Sequence, residues 1–192
     1  IIERLGKALE HEAHGSNNLT RMVEMAQVLA QKVGLNEPEA HALRLAVPLL
    51  DIGTSIVPKS ILQKSSPLSD EEVFKIRQHA EFGYQILQDS SRPTIQMAAM
   101  LAKQHHERWD GKGYPEGLKG EEIDIRSRIA TLVDVFDALL NERPYKPAWT
   151  IDKVVAVLQE ENGKHFDPQL VEYVLEDLPA FMAIQARYPN KT

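Results

Sequence analysis

Apolar side chains fall at Leu19, Met22, Val23, Ala26, Leu29, Ala30 and Val33, three and four residues apart, a spacing that lines one face of an α-helix. A strand would need alternation at every second position, and no stretch of the chain supplies it. Asn17 or Asn18 caps this predicted helix over 17–33, and Gly34 ends it. Asn36-Glu37-Pro38 opens a second helix through Leu43, Ala46 and Val47 to Leu50, with a kink at Pro48 because proline removes an amide donor. Asp51 therefore sits at a bend. Ser69-Asp70-Glu71-Glu72 has the form of a capping box and starts a helix through Val73, Ile76, Ala80, Tyr84 and Leu87, with His79 on it. Pro93-Thr94 opens another, from Ile95 to about Trp109. A long one from Asp124 or Ile125 to Leu140 carries Ile129, Leu132, Val133 and Phe136 on one face, with Asp134 and Asp137 three apart. Thr150 caps a further helix that Gly163 ends, and Asp167-Pro168 starts the next. The expected class is all-α, a helical bundle.

Length and charge narrow the function. At 192 residues the chain is expected to form one domain over 17–192, with 1–16 a linker or the end of a preceding domain. Twenty-eight acidic against 22 basic side chains, a net charge of -6, argue against a nucleic-acid polymer as partner, because such surfaces need clustered Lys and Arg. Small anions remain open, since a metal supplies positive field locally. The absence of cysteine removes thiolate zinc sites and cysteine nucleophiles, and fits a cytoplasmic setting. No apolar run approaches the ~18 residues of a spanning helix. Ile1 in place of an initiating Met suggests a piece of a longer protein, with a sensor or receiver domain upstream.

His105-His106 runs through Glu107-Arg108-Trp109 into Asp110-Gly111-Lys112-Gly113-Tyr114-Pro115. Adjacent helical residues point about 100° apart, so the pair suits a helix end where each imidazole approaches an ion from its own side. Gly111, Gly113 and Gly117 give the following loop backbone freedom, while Pro115 restricts Tyr114 and so aims it.

These residues stand in register with Asp51-Ile52-Gly53, Pro58, Ile61-Leu62, His79, Asp134-Val135-Phe136-Asp137-Ala138-Leu139, Arg143-Pro144-Tyr145 and His165-Phe166-Asp167-Pro168. Over roughly residues 17 to 178 the chain resembles the HD-GYP family, bacterial members of the HD phosphohydrolase group that hydrolyse cyclic di-GMP. The resemblance implies a helical bundle whose inner face holds two, sometimes three, divalent ions, iron or manganese first and zinc or nickel as alternatives. Two ions about 3.5 to 4 Å apart stabilise both the attacking and the leaving oxygen of a phosphoryl transfer. Carried over by position, Asp51 resembles the bridging aspartate and the catalytic carboxylate beside the attacking water. His79, His105 and His106 resemble ligands of the second ion, and Asp134 the carboxylate closing the first. Tyr114, Asp137, Arg143 and Lys146 match substrate contacts.

Three positions depart from the family. Leu50 stands for the histidine of the His-Asp pair, Asn18 for a histidine ligand on the opening helix, and Thr54 for a lysine. Leucine ligates nothing, an amide oxygen is a poor exchange for imidazole, and a hydroxyl carries no charge. All three fall on the first ion's half, where only His14 offers a replacement. The expectation is therefore a degenerate domain that binds metal and cyclic di-GMP, or a related guanine dinucleotide, with weak or no phosphodiesterase activity. The alternatives are an active metal-dependent phosphodiesterase, a nucleotidase of another substrate, and an interaction module docking on a GGDEF-domain protein through the loop from Gly111 to Gly117. His11, His41 and His165 read as structural or exposed, and Trp109 and Trp149 as packing.

Overall fold

The computed structural model describes residues 17–64, 66–142 and 147–189. Among these residues there are nine α-helices and no strand: α1 (Asn18–Lys32), α2 (Glu37–Ala46), α3 (Lys59–Leu62), α4 (Asp70–Leu87), α5 (Pro93–Gln104), α6 (Ile125–Leu140), α7 (Ile151–Glu160), α8 (Pro168–Glu176) and α9 (Leu178–Arg187). The expected all-α class holds.

The sequence punctuation places most of these boundaries. Asn36 accepts from the Glu39 amide while the Glu39 carboxylate accepts from the Asn36 amide, a reciprocal cap, and Ser69 and Glu72 do the same ahead of α4. Asp124 and Asp167 each accept from the amide two residues on, at the starts of α6 and α8. At Pro48 the second helix tightens into a 3₁₀ turn over Val47–Leu49, and another follows over Ile52–Ile56, so Asp51 does sit between two turns. Asn17 is different: its amide donates to the Pro189 carbonyl and ties the chain's two described ends together rather than capping α1.

One predicted boundary moves. The helix expected to reach about Trp109 stops at Gln104, with His105 as its cap. The amides of Trp109 and Asp110 donate instead to the carbonyls of His165 and Lys164, at 3.2 and 2.8 Å, so long-range hydrogen bonds take the donors that would have continued the helix. The two histidines thus stand at the helix end, on chain already turning away.

α4 lies along α5 and against the turn at 52–56, α1 lies against α6 and α2, and α2 against α5. Met25, Leu29, Leu43, Leu101, Ile129 and Phe136 fill the space between them, and Phe136 meets Phe181 of α9 edge to face at 5.8 Å. No described helix is long and apolar enough to cross a membrane.

Candidate metal centre

Gly53 decides how the first ligand is delivered. A Cβ there would lie 1.9 Å from the carbonyl oxygen of His79 and 2.6 Å from the amide of Gly83, so only glycine lets the 52–56 turn rest directly on the backbone of α4. That contact sets Asp51 beside His79. On the other side, Thr131 of α6 donates its hydroxyl to the His105 carbonyl at 2.9 Å and fixes the end of α5.

Four side chains converge here: Asp51, His79, His105 and His106. The Nδ1 of His79 lies 2.6 Å from the Ile76 carbonyl, and that of His105 lies 3.0 and 2.9 Å from those of Leu101 and Ala102. A carbonyl only accepts, so both Nδ1 atoms carry hydrogen, and in the neutral rings both Nε2 atoms present bare lone pairs. Those two Nε2 atoms are 3.2 Å apart, and His106 Nε2 is 3.1 Å from that of His79. Asp51 Oδ1 completes the cluster at 3.5 Å from both His79 Nε2 and His105 Nε2. Facing lone pairs at such distances repel unless a cation lies among them. Donors about 2.1 Å from an ion stand about 3.0 to 3.4 Å apart in octahedral or tetrahedral arrangement, so the spacing fits one divalent ion. Three imidazoles and a carboxylate suit iron, manganese, zinc or nickel.

Electrostatics agree. Burial pushes the Asp51 carboxyl up, yet the hydrogen bond from His105 and the charge of the three imidazoles outweigh it and hold the group well below the usual carboxylate range. Burial pushes His105 down, but bonding to Asp51, the Asp51 charge and the charge of Asp134 raise it above the ordinary histidine value. His79 and His106 are both lowered, by burial first and then by the charge on His105. Of the three rings His105 therefore binds a proton most readily, and a metal ion would compete with that proton.

The loop after the histidines closes on the cluster. Tyr114 stacks on His106, with ring centroids 4.8 Å apart and planes inclined at 20°, and burial pushes its hydroxyl up to about 12. A Cβ on Gly113 would lie 2.5 Å from the Arg108 amide and from the His106 carbonyl, so the loop lies directly on the backbone that carries the histidines. Glu107 locks this arrangement. Only 2 % exposed, it accepts from the amides of Glu116 and Leu118 at 2.8 and 3.0 Å. Nothing in the sequence alone assigns Glu107 a role. Its signal was a carboxylate set between two histidines and a glycine-rich turn, where free loop amides need acceptors.

The remaining predicted residues divide. Asp134 stands half-buried on α6, outside the four-membered cluster but near enough for its charge to act on His105. Asp137 is turned into the interior, 1 % exposed, where Arg21 Nη2 reaches it at 3.0 Å and Gln185 and Asn141 donate at 2.9 and 3.2 Å. Both its oxygens are engaged within the protein, which corrects its assignment as a substrate contact. Leu50 is packed in the hydrophobic core at 2 % exposure, and the Thr54 hydroxyl donates to the Asp51 carbonyl at 2.8 Å. Asn18 is buried at the start of α1. Arg143, Lys146 and His14 lie outside the described residues.

Residues 6–170 match the family model described as HD domain. This chain belongs to the HD domain family. As an HD domain it is 42 % identical over 175 residues to the cyclic di-GMP phosphodiesterase response regulator RpfG of Xanthomonas campestris, a match covering 91 % of this chain and 46 % of that protein. It is 39 % identical over 191 residues to the 3'3'-cGAMP-specific phosphodiesterase 2 of Vibrio cholerae, covering 99 % of this chain and 37 % of that protein. A cyclic di-GMP phosphodiesterase of Thermotoga maritima is 35 % identical over 176 residues, covering 92 % and 47 %. The chain thus spans less than half the length of these relatives. Among solved structures, a cyclic GMP-AMP-specific phosphodiesterase of V. cholerae superposes with a TM-score of 0.70 at 23 % identity, over 93 % of this chain and 48 % of that one. An HD-GYP-type protein of Bdellovibrio bacteriovorus does so with a TM-score of 0.64 at 20 % identity, over 85 % and 54 %. The HD-type helical fold is therefore shared with both.

Proposed function

We propose that this HD domain is the hydrolytic part of a metal-dependent phosphodiesterase acting on a cyclic dinucleotide, cyclic di-GMP or 3'3'-cGAMP. The observation that carries it is the set of three imidazole nitrogens and one carboxylate oxygen gathered within 4.8 Å of one another, with His79 Nε2 3.1–3.5 Å from the other three. The names of the relatives support the substrate class. A divalent ion there, iron or manganese by preference and zinc or nickel otherwise, supplies Lewis-acid activation of water and of the phosphoryl oxygen. The chain's own residues do the rest. The backbone carbonyls at Ile76, Leu101 and Ala102 aim two of the imidazoles. Asp51, with its side chain 44 % exposed, stays ionised at the mouth, able to hold the ion and to orient a water. Tyr114 stays neutral and offers a hydroxyl donor to the substrate. Arg143 and Lys146 are proposed phosphate contacts, the former through its forked donors.

A second reading is favoured by Leu50 and Thr54: with the one in the core and the other bonded to its own backbone, neither adds a ligand or a charge beside Asp51. A domain with one ion and Asp134 nearby would bind the dinucleotide and turn it over slowly. The deciding experiment is turnover of cyclic di-GMP and 3'3'-cGAMP by protein loaded with Mn²⁺ or Fe²⁺, beside the His79→Ala variant. Linear dinucleotide produced by the parent and not by the variant supports the hydrolase; calorimetric binding without product supports the second reading. Neither binding nor turnover would overturn both and leave docking on a GGDEF-domain protein as the function to pursue.

A further inference from the structure

The geometry points to Arg77 as a substrate-phosphate contact, a cation at the mouth of the metal centre held in place by the Tyr114 ring. This rests on the cyclic dinucleotide reading and deepens it. Arg77 lies on α4, two residues before His79, and its side chain is exposed. Its guanidinium carbon sits 5.0 Å from the centroid of the Tyr114 ring, and Tyr114 in turn stacks on His106. The charges of Arg77 and Asp51 both act on the Tyr114 hydroxyl, so guanidinium, phenol and metal-site carboxylate share one locality.

Arg77 shares with Arg44 and Arg92 the lack of an ion pair among the described residues, and of these three it is the one over the Tyr114 ring beside the metal centre. Other arginines are committed to carboxylates. Arg21 is locked to Asp137, Arg108 to Asp110 and Glu161, Arg126 to Asp124, and Arg128 to Asp167. Lys103, beside the same loop, is paired with Glu116. Arg77 makes no ion pair among the described residues, and Glu81, one turn further along α4, takes a hydrogen bond from Gln85 instead. Stacking on an aromatic face leaves all five guanidinium N–H groups available, whereas a carboxylate partner would have consumed them. An arginine so held keeps its forked donors preorganised for a phosphodiester oxygen pair at little entropic cost. Thr54 contributes no cation, its hydroxyl being turned to the Asp51 carbonyl. In a chain of net charge -6, a dianionic ligand approaching Asp51 needs a positive group near its phosphates, and Arg77 meets that need.

The test uses manganese-loaded protein and cyclic di-GMP, with 3'3'-cGAMP as a second probe. Dissociation constants are measured by calorimetry for the parent, Arg77→Ala, Arg77→Lys and Tyr114→Ala, alongside metal content and the salt dependence of binding. Arg77→Ala is expected to weaken binding at least tenfold and to flatten the salt dependence with metal content unchanged. Arg77→Lys recovers part of the affinity because it keeps the charge without the fork, and Tyr114→Ala reproduces part of the loss because the arginine is no longer held. Binding by Arg77→Ala within twofold of the parent overturns the inference while leaving the cyclic dinucleotide reading intact. Failure of the parent itself to bind either probe overturns both.

Discussion

Two buried charged clusters in this molecule are built on opposite plans. At the Arg21–Asp137 pair the chain closes the account internally: guanidinium meets carboxylate, and Asn141, Gln185 and the Tyr188 carbonyl take up the remaining positions. At Asp51, His79, His105 and His106 the chain anchors the outer nitrogens of two rings and leaves the inner ones facing each other with no other side chain between them. A closed cluster is architecture, because it is complete without a guest. An open one is a binding site, because burying unpaired lone pairs is costly and something outside the chain has to relieve it.

The largest expected effect comes from breaking the open cluster. His79→Ala or His105→Ala should cut metal affinity by more than the roughly 10–100-fold that loss of an outer-shell partner alone brings, while circular dichroism stays helical. Metal analysis on protein purified without chelators checks this, and full occupancy in both variants would show that the three rings are not ligands. Breaking the closed cluster should have the opposite profile. Asp137→Ala leaves Arg21 buried and unpaired and should cost about 3–5 kcal/mol in urea unfolding, whereas Arg21→Met with Asp137→Leu should recover most of that loss. If the double variant is no better than the single, the pair has a role beyond packing. Gly53→Ala tests the open cluster through its backbone. Its methyl would press into the His79 carbonyl, so a loss of about 1–3 kcal/mol in stability is expected together with weaker metal binding. Normal metal affinity there would mean that Asp51 reaches the ion by another route.

The smallest effect is that of pH. His79 and His106 are held below the ordinary histidine value and His105 above it, so His105 is the last of the three rings to give up its proton as pH rises. Metal must displace that proton, so affinity should rise by up to about tenfold per pH unit until His105 is deprotonated, then level off. A titration with Mn²⁺ across that range measures it, and a flat profile would move the proton elsewhere.

The fold was largely legible because caps and periodicity are local. Asn36, Ser69, Asp124 and Asp167 do at the helix starts what their neighbours in sequence imply. What was not legible depended on distant chain. The helix ahead of the histidines ends early because amides at 109 and 110 are claimed by carbonyls more than fifty residues away. Asp137, which looked like a substrate contact by position, is drawn inward by an arginine 116 residues earlier. Four of the five expected ligands meet, because imidazoles and carboxylates in register carry their chemistry with them, while Asp134 stands outside that group. Glu107 and Arg77 were not, since an ordinary acid and an ordinary base reveal their use only through what they touch.

By accepting from Leu118, eleven residues ahead, Glu107 ties the intervening chain into a ring whose knot is fastened beside the histidines. Tension applied at the ring's far rim, around Lys112, ends at that knot. The rim is consequently a place where exposed side chains such as Lys112 can be exchanged while the backbone beside the histidines stays tied.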